Sequence, residues 1–188
     1  MNEASYSPMS NPTNRREQDV AHVIIAQIKS AWVDADVPPI ELLLQEVPAP
    51  DRNRLDSDSI EILDNFSGKP VGQLPFGDNA FDNLSPFDYF SSTARKYYIS
   101  AYMIHCLDLF LDGNNNPCKA GGMDTIVTFS ALLNADDKWK ITGLTQAQKL
   151  AVKAFLEFAY RHAKFFLCED LRPQIKAYLK RLCQVAPG

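Results

Sequence analysis

Along the chain, apolar residues recur at intervals of three and four, and the periodic stretches are separated by short polar runs rich in Gly and Pro. Val20, Val23, Ile24, Ile28, Ala31 and Trp32 place an apolar stripe on residues 15–34, the signature of a helix with one buried face. Asn14 and Glu17 have the spacing of a capping box ahead of it, and Pro38-Pro39 ends it. Pro39 can open a short helix carrying Ile40, Leu42, Leu43 and Leu44, because proline suits a first helical position. Asp58 and Glu61 form a second box before Ile62, Leu63 and Phe66, with Gly68 as the C-terminal cap. From Lys69 to Leu84 the composition predicts a loop with at most one helical turn. Ser85-Pro86 and Ser91-Ser92 are the next helix starts.

Ala94 to Leu111 is apolar or aromatic on nearly every side. Such a helix belongs at the buried centre of an α-domain. Asp112 to Pro117 is a turn cluster, and Asp124 can cap a helix running through Leu133. A loop with Asp136, Asp137 and Gly143 follows. Thr145 and Gln148 make the clearest capping box. Behind it, Ala147, Leu150, Ala151, Ala154, Phe155, Phe158, Ala159 and His162 form the expected inner stripe, opposite Lys149, Lys153, Glu157 and Lys164. Pro173 fits the first turn of a last helix with Ile175, Tyr178, Leu179 and Leu182 on its apolar side. No segment alternates with period two. The expected fold is all-α, a single irregular bundle of about six to eight helices around a central aromatic-rich helix.

Composition narrows this picture. With 188 residues, 46% of them hydrophobic and 22% charged, the chain has enough apolar surface for one core without metals or disulfides. Residues 1–13, Ser/Asn/Pro-rich, read as a disordered tail, and 14–188 as a single helical domain. The net charge of −4 argues against polyanion binding by the whole surface. It is split: residues 145–188 hold eight Lys/Arg and three Asp/Glu, residues 1–144 eleven and twenty. The four cysteines, 106, 118, 168 and 183, show no C-x-x-C spacing, and no apolar run reaches membrane-spanning length. A cytoplasmic setting and no membrane are expected.

Three segments carry a family likeness. Residues 91–103, Ser-Ser-Thr-Ala-Arg-Lys-Tyr-Tyr-Ile-Ser-Ala-Tyr-Met, match at Ser91, Ala94, Lys96, Tyr97, Tyr98, Ile99, Ala101, Tyr102 and Met103 a Leu-Thr-Pro-Glu-Ala-x-Arg-Tyr-Tyr-Leu-Pro-Ala-Tyr-Leu core. Residues 60–69 resemble an E-I-x-x-x-F-x-G-K stretch, and residues 144–156 an L-T-x-x-Q-x-x-A-V-x-x-F-L helix. In this order they resemble an uncharacterised bacterial family, domain of unknown function 6714, over about residues 20–160. Ser92 and Ser100 stand where that family has prolines. The resemblance implies a helical domain and no known reaction, with residues 170–184 as a C-terminal helical extension.

Chemistry-bearing groups are sparse. His22, His105 and His162 fall in no metal motif, and His105, Cys106, Cys168 and Glu169 meet only if the fold joins them. Adjacent helix positions point about 100° apart, so His105 is badly placed to activate Cys106. Asp112, Asn114 and Asn116 start like a calcium loop, but Pro117 and Met123 occupy the places of its Gly and Glu. Gly121-Gly122 lacks the Lys and Ser/Thr of a phosphate loop. Asp58, Glu61 and Asp64 share a helix face and read as solvated acids. No cofactor, metal or catalytic residue is assigned.

The aromatic stretch Tyr89, Phe90, Tyr97, Tyr98, Tyr102 and Phe110 is the richest feature. Tyrosine hydroxyls need partners, so a cluster of them predicts either a polar network in the core or a partly wet groove. Lys96 and Arg95 lie beside it, and the candidate ligand or partner site is Arg95, Tyr98, Tyr102 and His105. The expected function is a small interaction protein without catalytic activity, binding a protein partner or itself; nucleic acid is not the expected partner. The alternative is an enzyme or small-ligand-binding protein with its site near the Tyr98/Tyr102/His105 helix.

Overall fold

The computed structural model describes residues 12–44, 55–74, 86–112, 122–133, 141–166 and 169–184. Among them run α1 (Pro12–Ala31), α2 (Ser57–Phe66), α3 (Pro86–Tyr89), α4 (Ser92–Leu111), α5 (Gly122–Leu133), α6 (Gln146–Arg161) and α7 (Arg172–Gln184). Short 3-10 turns lie at Ile40–Leu42, Val71–Gln73 and Glu169–Leu171. The fold is all-α. The described residues contain no strand, and an isolated bridge joins Leu44 to Phe90.

Local chemistry explains the helix starts. Ser91 accepts a hydrogen bond from the Ala94 N–H and opens α4. At α6 the Thr145 hydroxyl accepts from the Gln148 N–H while the Gln148 side chain accepts from the Thr145 N–H, a complete capping box. Gly68, two residues past the end of α2, has φ +69°, the left-handed turn that glycine enters without a Cβ clash. Three boundaries differ from expectation. The cap of α2 is Asp56, whose carboxylate accepts from the Ser59 N–H, because it stands one residue before the first helical turn. Helix α1 begins at Pro12, so Glu17 lies inside it and reaches instead toward the far end of α6. Helix α5 begins at Gly122, ahead of Asp124. The loops expected at 75–84, 113–117 and 136–137, together with Cys118 and Cys168, lie outside the described residues.

Helix α4 is the core of the molecule. Tyr98, Ile99, Tyr102, Met103 and Leu107 are fully buried on several sides of it, as an all-round apolar helix requires. Helices α1 and α5 pack on α4, α1 also packs on α6, and α7 packs on α6. The buried face of α6 is Gln148, Ala151, Val152, Phe155, Leu156, Phe158 and Ala159, whereas Ala147 and Leu150 are exposed. Ala151, Phe155, Phe158 and Ala159 of the expected stripe are thus buried, and only its first turn is rotated: Gln148 of the capping box is drawn inward, and Val152 and Leu156 follow it a turn and two turns later.

Aromatic rings fill the two ends of α4. One cluster joins Phe66, Phe87, Phe90, Tyr97, Tyr98 and Tyr102, mostly edge to face at 4.8–5.2 Å. The other gathers Phe158, Phe165, Phe166 and His162 around Phe110. Edge-to-face pairs of this kind add roughly 0.5–1.5 kcal/mol each beyond the area they bury. No described helix is long and apolar enough to cross a membrane.

Candidate ligand-binding site

The four residues singled out in the sequence separate in space. Tyr98 and Tyr102 have no exposed surface. The Tyr98 hydroxyl donates to the Phe66 carbonyl at 2.7 Å, with the Lys69 carbonyl 3.4 Å away, and burial raises its pKa far above the tyrosine range. Tyr102 packs edge-on against Phe87 at 4.8 Å. Arg95 is buried too, and its Nε donates to the Phe87 carbonyl at 3.0 Å, which turns the guanidinium inward toward α3. These three side chains fasten α2 and α3 onto α4. His105 lines an open cavity.

That cavity is a half-open cleft of about 610 Å³ between the end of α1, the outer face of α4 and the strap at Pro70–Leu74. Its floor is apolar, made by Ile28, Val71, Ala101 and Ile104. Two aromatic rings wall it, Trp32 and Tyr97. The Trp32 indole N–H donates to the Lys96 carbonyl at 2.9 Å, so its polar edge is already satisfied. The Ser100 hydroxyl donates to the Tyr97 carbonyl at 2.8 Å. Burial raises the pKa of the Tyr97 hydroxyl, an effect opposed by a backbone hydrogen bond from Val71.

Charged and titratable groups gather at one end: Lys29 from α1, and His105 and Asp108 from α4. Burial pushes the His105 imidazole below the ordinary histidine range, with Asp112 opposing. Burial also raises the Asp108 carboxyl; Lys29 lowers it, Asp112 raises it and His22 lowers it. Lys29, Trp32 and Asp108 were not singled out as site residues from the sequence. Asp108 had a signal, since it is the single acid between Ala94 and Leu111 and sits in the last turn of the helix. Lys29 and Trp32 carried none, because their meeting with α4 depends on how two distant helices cross.

A second cleft of about 510 Å³ lies on another side of Trp32, lined by Asp34, Asp36, Lys96 and the capping residues Thr145 and Gln148. Elsewhere on the surface, Arg172, Lys176 and Lys180 stand exposed at four-residue spacing on α7, and the Arg172 guanidinium lies 5.6 Å above the exposed Tyr160 ring. Cys106 is buried, and its Sγ lies 3.8 Å from the Thr128 hydroxyl. Among the described residues, no group of three or more His, Cys, Asp and Glu is placed to hold a metal ion. Asp58 accepts from the Tyr89 hydroxyl at 3.0 Å. Comparisons with protein-family models, with curated proteins and with solved structures find no match.

Proposed function

We propose that this protein works by binding, and that it holds a small ligand with an apolar body in the α1/α4 cleft. The observation that carries the reading is the cleft itself: about 610 Å³, apolar floor, two aromatic walls and a few polar groups at one end. Ligand sites are typically concavities of roughly 300–1,000 Å³ built in this way. The reading follows the small-ligand alternative named from the sequence, moved from Tyr98 and Tyr102 to the face of α4 carrying Tyr97, Ala101, His105 and Asp108. The segment that resembles the bacterial family forms part of that wall, and we propose membership of that family on the same grounds.

Gly72 offers the test. It lines the cleft, and a Cβ built on it meets nothing within 4 Å, so a large side chain there has room beside the cavity without disturbing the core. Gly72→Trp is expected to leave helicity and the unfolding midpoint unchanged and to abolish capture of any ligand found in a small-molecule library screen. A ligand bound equally well by Gly72→Trp places the site elsewhere.

A second reading, an interaction protein with an acidic partner, draws on α7. Like charges at i, i+4 destabilise a helix by roughly 0.2–0.5 kcal/mol per pair, and among the described residues no ion pair offsets Arg172, Lys176 or Lys180. Partner capture that survives Gly72→Trp and is lost on reversing Lys176 and Lys180 would favour it.

A further inference from the structure

We infer that the cleft is specific for a small organic cation: an ammonium or guanidinium head on an apolar body, the head held by Asp108 and the body by Trp32 and Tyr97. This rests on the cleft reading above and names the ligand class. Its basis is the position of Asp108. The residue lies in the last turn of α4, where free carbonyls already concentrate negative charge and where that turn contains no base. Asp112, the C-cap, follows one turn later as a second acid at i+4. The Asp108 side chain is exposed to solvent, and burial of its surroundings raises its carboxyl only in part against Lys29. Its place at the helix end and the second acid at i+4 both count against an acid here, and no ion pair among the described residues joins Asp108 to Lys29 or His22. A neutral side chain would suit the helix better, so the carboxylate costs the fold stability that a bound cation would return.

The surroundings agree in sign. Among the described residues, Lys29 and His22 are the basic groups whose fields reach Asp108, with Asp112 as a second acid beside it. Trp32 has spent its indole N–H on Lys96, and it lines the cleft, with Tyr97, from a largely buried position. Aromatic walls favour apolar bodies, and their faces attract cations.

The test reads the Trp32 indole resonance in the full chain during titration with three probes that share a phenyl body: 2-phenylethylammonium, 2-phenylethanol and 3-phenylpropionate. The ammonium is expected to bind at least tenfold more tightly than the alcohol, and the carboxylate weakest of all. Asp108→Asn should bring the ammonium to within about threefold of the alcohol and leave the alcohol's own affinity alone. Lys29→Met should preserve or widen the preference for the ammonium. Equal binding of ammonium and alcohol, preference for the carboxylate, or indifference to Asp108→Asn each overturns the inference. The cleft reading survives all three, provided the alcohol still binds and Gly72→Trp still blocks it. Failure of every probe to bind overturns the inference too, while the library screen decides the broader reading. A lysine-bearing apolar peptide that binds more than tenfold better than the free amine also overturns it, in favour of a polypeptide occupant.

Discussion

Tyr98 donates its hydroxyl to the Phe66 carbonyl from a position with no solvent exposure. The same carbonyl also accepts from the Lys69 N–H at 3.1 Å, so removing the hydroxyl does not leave it unpaired. Tyr98→Phe is therefore expected to cost about 1 kcal/mol and to leave ligand binding untouched, as paired urea unfolding and titration will show. Glu17 works differently. His162 Nε2 lies 2.9 Å from its carboxylate and Arg161 3.9 Å away, joining the start of α1 to the end of α6. The hydrogen bond from His162 depresses the Glu17 carboxyl below its ordinary 4.5, with burial opposing and Arg161 assisting. A depressed carboxyl stabilises the fold fully above its ordinary pKa, and that contribution disappears as pH falls through the lowered value. Stability measured by urea should thus decline in acid below about pH 4.5, and Glu17→Gln should flatten that limb of the profile.

Helix signals that depend on neighbours in sequence were legible in advance. The Thr145/Gln148 box, the Ser91 cap and the Gly68 turn all stand where their residue types place them. Thr145→Ala, which removes the acceptor for the Gln148 N–H, should destabilise the protein by roughly 1 kcal/mol, read from the urea midpoint. The rotation of α6 was less legible. Ala147, Leu150 and Ala154 are as apolar as the residues actually buried, so periodicity alone left two neighbouring stripes nearly equivalent, and packing decided between them. The candidate site followed the same pattern. The tyrosine-rich helix was evident, and its centrality follows from its lack of a polar face. Which tyrosines reach a cavity depends on the crossing of α1 over α4, a contact between residues more than sixty positions apart, as in the Trp32–Lys96 hydrogen bond.

At the scale of the molecule, α4 divides the labour. Its early turns hold α2 and α3 through Arg95, Tyr98 and Tyr102. Its far end enters the ring cluster of Phe110, Phe158 and Phe166. One flank is left to the cleft at Tyr97, Ala101 and His105. The charge division of the sequence survives as a basic helix, α7, which packs on α6 and α5. Substitutions in the cleft and on α7 therefore test the two proposed readings separately.

The burial of α4 on almost every side has a consequence for synthesis. The ribosome delivers this greasy rod before α5, α6 and α7 exist. Until those helices emerge, the sides of α4 that they cover in the fold stand bare to chaperones, and a chain ending before Thr145 keeps part of that apolar surface open to solvent.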